Sequence, residues 1–557
     1  MATLTPPADP PEQRTAEQIE RHWFENVYQG DKLKQATVRA VAMGMVLGAV
    51  MCLSNVYVGL KAGWSMGVAI TSCILAYVIF QALTKAFRLP TFSILENNAM
   101  QSAASAAGSM TSAGIANAIP ALMMLNPGAV PPQHILIAWV ILISFLGVFL
   151  AVPAKRQYIN IEQLPFPSGT AAATTLRALH AKGDEAAQQA RALGLAGLLG
   201  AAITWFRDAN FPNGMKAFIP ATWGTGWVKG SWLGSRAVTD PATGVVTQVP
   251  WTLQNYGLAL EGSLLFVAGG ALISFRQAWS MLLGAVVNYA ILAPIFVHAG
   301  DIESVSFRRI SSWSLWIGVP MMVTSGLLLF VVNWKTVVRA FSTLGSFMKR
   351  DKGVASDPLE AIEVPSTWFV GGVLVLGTAI VILGNYAFGI SWWMGIIAVL
   401  ATFLLVVVAA RATGETDVTP VGPISKITQL TFGAIKPGDV TVNLMTANVT
   451  AGATSHAGDL LTDLKSGYLL GANPRQQFIA QFFGVLAGGL VVVPAFFFLI
   501  PNADALVHIE DRTHVTLDKL EIHAGIELAR AKQPRVLHRT RTSLSVLVQP
   551  PAAMRTR

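Results

Sequence analysis

The chain predicts an all-α polytopic membrane protein, and three observations carry that expectation. Hydrophobic residues make up 53% of its 557 positions and charged residues only 12%, about half the charged share of a soluble domain. The apolar residues gather into runs of about twenty, the length an α-helix needs to cross a bilayer, and the mean hydropathy is +0.52. Lysine and arginine collect mainly in alternate loops between those runs, as cytoplasmic loops do. A cytosolic enzyme is excluded first. The formal charge of +9 is dispersed between apolar runs, so it reads as loop charge and not as a nucleic-acid footprint. Only Cys52 and Cys73 are present, both in apolar segments, which leaves no disulfide framework or thiolate site. No metal and no cofactor are expected.

Taken in order, the leader MATLTPPADPPEQRTAEQIERHWFENVYQ lacks the basic start and apolar centre of a secretory signal. Thr15 and Gln18 match a capping box, and Ile19, Trp23 and Val27 recur every four residues. Residues 1–37 are therefore expected to form a cytoplasmic leader with a short helix at the membrane surface, a solvated leader being the alternative. Eleven apolar segments follow, near 38–60, 65–84, 92–124, 134–153, 191–206, 254–275, 277–298, 313–333, 367–386, 390–410 and 477–500. They define a transmembrane domain over 38–500. Lys32, Lys34 and Arg39 precede the first segment, Lys85 and Arg88 follow the second, and Lys155 and Arg156 follow the fourth. Lys335, Arg339, Lys349, Arg350 and Lys352 follow the eighth, and Arg411 the tenth. All fall on one side, which makes the N-terminus cytoplasmic and the location the inner (cytoplasmic) membrane. The opposite side holds NPGAVPPQ and a long loop from Arg207 to Trp251, whose Lys216, Lys229 and Arg236 depart from the rule as long loops do.

Two stretches do not fit simple spans. QLPFPSGTAAATTLRAL, residues 163–179, is too short to cross and suits a re-entrant half-helix, with Pro167 in the first turn and Ser168 or Gly169 near the cap. TVNLMTANVTAGATSHAGDLLTDLK, residues 441–465, is too polar to face lipid, so it must be buried in protein or line a wet cavity. The third segment carries the same message: Asn97, Gln101, Ser105 and Ser109 sit four apart and form one polar stripe. For the serines, as for Gly44 and Gly48 or Gly63 and Gly67, close helix packing is an equal reading.

Intramembrane carboxylates are functional candidates because inserting one costs about 2.5–3.5 kcal/mol. Glu96 is expected to be paired, protonated or facing water, and an interfacial position stays open. Asp459 and Asp463 share a helical face, with Lys465 and Arg475 as candidate partners; Glu415 and Asp417 follow the tenth segment, where a solvated loop is the alternative. His456 is either part of a relay or a hydrogen-bonded histidine, one imidazole being too few to hold a metal. No phosphate loop, HExxH or GxSxG motif is present.

LENNAMQSAASAAGSM, LPFPSGTAAATTL and DLLTDLKSGYLLGANPRQQFIAQFFG together resemble the oligopeptide transporter family, in particular its bacterial members and its yellow stripe-like branch. The resemblance covers roughly residues 35–500. It implies a multi-helix secondary transporter with re-entrant or broken helices and more membrane segments than the eleven counted. It implies proton-coupled carriage of small peptides, or of metal chelates of the siderophore or nicotianamine kind, and no enzymatic activity. Such a substrate offers amine, carboxylate and amide groups. Lys61 is a candidate for the carboxylate, with snorkelling as its commoner use, and Asn97, Gln101, Asn443 and Asn448 are candidate amide readers. The carboxylates Glu96, Asp459, Asp463, Glu415 and Asp417 are the proton-coupling candidates. The polar third segment and residues 441–458 read as equivalent elements of two repeated halves with the site between them. A channel or a membrane-embedded enzyme would use the same groups differently, and a homo-oligomer is left open. From residue 501 the composition turns polar and basic, unlike the family, so 501–557 reads as a shifted reading frame or a genuine disordered tail.

Overall fold

The computed structural model describes residues 16–503 apart from 64, 89, 181–184, 209–221, 240–244, 265–266, 268–269, 271–274, 303, 333, 335–358 and 360. Thr15, the basic stretch from Lys335 to Lys352 and the tail from Asp504 onward lie outside the described residues, with the expectations placed on them. The chain divides into two compact units, one built from 1–190 with 323–515 and the other around 191–322.

The first unit opens with α1 (Ala16–Asn26), α2 (Val38–Ala62), α3 (Ala69–Phe87), α4 (Ile94–Gly108), α5 (Ala118–Leu125), α6 (Gln133–Lys155, continued by a wide turn over Arg156–Ile161) and α7 (Pro167–His180). The second unit holds most of α8 (Glu185–Asp208), four short strands, α9 (Phe275–Val286), α10 (Ala293–His298) and most of α11 (Phe307–Val332). Its strands β1 (Thr222–Gly224) and β4 (Ala259–Glu261) pair antiparallel, as do β2 (Ser235–Thr239) and β3 (Val246–Pro250). The chain re-enters the first unit through α12 (Ser366–Phe388), α13 (Trp392–Thr416), α14 (Val421–Ile435), α15 (Val440–Leu470) and α16 (Pro474–Leu499).

Eight helices among the described residues are long and apolar enough to cross a membrane: α2, α3, α6 with its extension, α9 through α10, α11, α12, α13 and α16. Three expected spans differ. The segment near 92–124 is not one helix, because Gly114 adopts φ +113 and Asn117 φ −139, which part α4 and a short 3-10 turn from α5. The segment near 191–206 lies in α8, whose apolar part runs only from Gly194 to Arg207. The segment near 254–275 starts in a turn and enters strand β4, and part of its remainder is outside the described residues.

Polar 441–465 is a continuous helix of 31 residues, α15, about 46 Å long at 1.5 Å per residue. Asp439 starts it by accepting the Val442 N–H at 2.9 Å, and Gly471 ends it at φ +74. Burial works against the Asp439 charge, but the Lys436 ammonium at 2.8 Å and the Val442 N–H hold the carboxyl below its usual range. The polarity of α15 is tolerated because almost all of it is buried among α4, α6, α7, α13, α14 and α16.

Small residues make that packing close. A Cβ on Gly44 of α2 would lie 2.5 Å from the Met100 carbonyl oxygen of α4, and one on Gly484 of α16 would lie 2.1 Å from that of Ala103. Both distances are inside contact, so α4 is held backbone to backbone between two helices. Gly484→Ala is expected to lower stability by about 1–3 kcal/mol through overpacking, read as a lower melting temperature in detergent. Gly128→Ala, where nothing lies within 4 Å, is the control expected to melt unchanged.

Candidate functional site

α4 begins with a capping box: Ser93 Oγ accepts the Glu96 N–H at 3.0 Å, and Glu96 accepts the Ser93 N–H at 3.0 Å. Beyond that cap the helix is Ala, Ser, Asn and Gln apart from Met100 and the final Gly108, and it is buried along nearly its whole length. α15 runs past it with Asp459, Asp463 and Ser466 on the facing side. The Gln101 amide nitrogen donates to Asp463 Oδ1 at 2.5 Å, and the Asn98 amide donates to Ser466 Oγ at 2.8 Å and to Gln101 Oε1 at 3.2 Å. Ser466 Oγ in turn donates to the Asp463 backbone oxygen at 2.7 Å. From α16, Gln477 donates to Ser102 Oγ at 2.9 Å and to the Asp463 backbone oxygen at 2.8 Å. Ser105 and Ser109 extend the line toward Asp463 and Asp459.

The network is incomplete at its centre. Asp463 is 1% exposed, yet its Oδ2 has no hydrogen-bond partner; Asp459 Oδ2, both ring nitrogens of His456 and both amide atoms of Gln481 are likewise unpartnered. Buried polar groups are normally satisfied. These atoms lie on neighbouring helices, those of Asp459, Asp463 and His456 on α15 and those of Gln481 on α16.

The remaining candidates distribute as follows. Glu96 is 1% exposed and paired: Arg39 donates to it at 2.6 and 2.8 Å and Thr37 at 2.7 Å. Asn97 turns from the network and donates to the Cys73 carbonyl at 3.3 Å. Asn448 holds the break after α4, donating to the Ala113 carbonyl at 3.0 Å and accepting from the Trp139 indole at 2.9 Å. Asn443 donates to the Gln429 carbonyl at 2.6 Å. Lys61 stands in the last turn of α2, 6.0 Å from the Tyr57 ring centre. Glu415 pairs with Arg411 at 2.9 Å.

Asp417 and the Pro167–Ser168–Gly169 turn meet. Asp417 Oδ1 accepts the Ser168 N–H at 2.8 Å and Oδ2 accepts the Ser168 hydroxyl at 2.5 Å, capping α7. Gly169 seats this half-helix on α15, since a Cβ there would lie 2.2 Å from the Thr462 carbonyl oxygen. At 14 residues, α7 is about 21 Å long and too short to cross. Reading one residue at a time missed Asn98, Ser466, Gln477 and Gln481. Their signal was present in their polarity within LENNAMQSAAS, DLKSGY and RQQFIAQ, but only the packing of three helices shows that they face one another.

A model of the family described as OPT oligopeptide transporter protein matches residues 35–526. The chain belongs to the oligopeptide transporter family. This transporter is 26% identical to a Saccharomyces cerevisiae protein provisionally named an oligopeptide transporter, over 88% of the chain and 81% of that protein. It is 26% identical to a Haemophilus influenzae protein with the same kind of name, over 79% of the chain and 69% of that protein. It is 24% identical to an Oryza sativa protein provisionally named a metal-nicotianamine transporter, over 66% of the chain and 51% of that protein. The membership makes this chain a multi-pass membrane transporter and not an enzyme.

Because Glu96 caps α4 and pairs with Arg39, removing its carboxylate breaks the cap and the buried ion pair, leaving Arg39 its bonds to the Pro90 and Thr91 carbonyls. Glu96→Ala is expected to cost this transporter about 3 kcal/mol of stability, measured as loss of melting temperature and yield. Glu96→Gln, which keeps part of the cap, is expected to lose less.

Proposed function

We propose that this transporter is a proton-coupled carrier of small peptides or peptide-like solutes in the cytoplasmic membrane, and that Asp463, with Asp459 one turn away, carries the coupled proton. The observation that supports this most is the buried Asp463 carboxyl, held on one oxygen by Gln101 of a different helix and unpartnered on the other. A coupled carrier needs a group whose protonation differs between its inward and outward states, and a carboxyl in a dry, partly satisfied site supplies one. Gln101, Asn98 and Ser466 reorganise with it, which links the proton to the helix contact that has to change.

Uptake of a metal chelate is a second reading, favoured by relatives in plants provisionally named metal-nicotianamine transporters. The same polar helices would then read the organic part of the chelate.

The orientation belongs to this proposal. Arg156 pairs with Glu20 of α1, Lys155 with Glu363, and Arg411 with Glu162 at 2.8 Å. These basic residues flank two spans and gather with the N-terminal helix, which supports a cytoplasmic N-terminus. A reporter fused at Gly128 should read the opposite side from one fused ahead of α1.

Asp463→Asn keeps the shape of the side chain and removes its titration. In proteoliposomes it is expected to abolish accumulation driven by a pH gradient while substrate-stabilised melting survives, and Asp459→Asn to weaken accumulation less. Normal accumulation by both variants would place the proton elsewhere. Loss of folding in Asp463→Asn, with full coupling in the residual protein, would make the carboxyl structural.

A further inference from the structure

Lys465 is a buried cation that the proton pathway does not use. It is 4% exposed and stands two residues beyond Asp463 on α15. At about 100° per residue, its side chain leaves the helix on nearly the opposite side from that of Asp463. That side faces α7: a Cβ on Gly169 would lie 3.2 Å from Lys465 Cβ. The ammonium sits 5.7 Å from the centre of the Tyr468 ring, and among the described residues it has no carboxylate within ion-pairing distance.

The nearby carboxylates have other partners. Asp463 is held by Gln101, Asp417 by Ser168, Glu162 by Arg411, Glu363 by Lys155 and Glu20 by Arg156. A largely buried lysine with an aromatic face beside its ammonium and no carboxylate in ion-pairing distance can take an anion. The surroundings suit an anion. Tyr468 Oη accepts the Gln163 amide at 2.7 Å and keeps its own proton to donate. The first turn of α7 already holds one carboxylate, that of Asp417, on its Ser168 N–H and hydroxyl, as the positive end of a helix does.

We propose that Lys465, with Tyr468, is the subsite that reads a carboxylate of the transported solute. α7 packs on the stem of the lysine, with Gly169 against its Cβ. α15 then presents the proton on its α4 side and the substrate anion on its α7 side, and one helix senses both. The assignment rests on the peptide reading above.

The test compares trialanine with trialanine amide, which differ only in the terminal carboxylate, in proteoliposome uptake and in stabilised melting. Wild-type protein is expected to prefer the free acid. Lys465→Gln should weaken the free acid by about tenfold or more and the amide by less than about twofold, removing the preference, and Lys465→Arg should retain it. Lys465→Met, which preserves the stem packed under Gly169, is run in parallel and should match Lys465→Gln. Equal loss for both peptides, or a preference that survives in both Lys465→Gln and Lys465→Met, would overturn the assignment while wild-type uptake leaves the peptide reading standing. Wild-type protein that neither binds nor carries either peptide would overturn both.

Discussion

The hydrogen bond from Gln101 to Asp463 is the contact on which the rest of the structure turns. It joins α4 and α15, two helices too polar to be stable against lipid and therefore buried together. Inside a bilayer every polar group has to find a partner within the protein. α4 and α15 find theirs in each other, and the apolar helices α2, α6, α13 and α16 form the wall around them. Glycines at positions such as 44 and 484 let the wall approach to backbone contact. Asp463, Asp459, His456 and Gln481 are among the buried residues that keep unpartnered atoms.

Much of this was legible in the sequence, for definite reasons. Long apolar runs between basic loops have one physical solution, so α2, α3, α6, α12, α13 and α16 follow from hydropathy. The polarity of residues 441–465 correctly required burial. A polar helix beginning at Asn443 and closed by Asp459 and Asp463 was also legible, although Asn, Thr and Gly weaken local helix preference and the surrounding helices restore it. The break after α4 was hidden. Gly114 lies in a run of small residues that reads as helical, and its positive φ is held by Asn448, 334 residues later in the numbering. Candidate carboxylates were found by type, but type does not distinguish Glu96, a paired cap, from Asp463, a carboxyl with an empty side.

The ends of the bundle are organised differently, through charge and aromatic stacking. Trp23 of α1 is buried, donates its indole N–H to the Tyr468 carbonyl at 2.8 Å and stacks on the Tyr468 ring at 4.9 Å. The same Tyr468 reaches Gln163 in the turn before α7. The leader, the half-helix and the end of α15 thus converge on one side chain, and a shift in any of them is felt by the others.

The central claim is that Asp463 changes protonation when the transporter takes up its solute. Substrate-induced infrared difference spectroscopy of the full chain in lipid tests it directly, through the carbonyl stretch of a protonated carboxyl. The account predicts a band that appears or disappears on addition of substrate, is absent in Asp463→Asn and shifts in Gln101→Leu as the hydrogen bond is lost. A carboxyl band that persists unchanged in Asp463→Asn would contradict it.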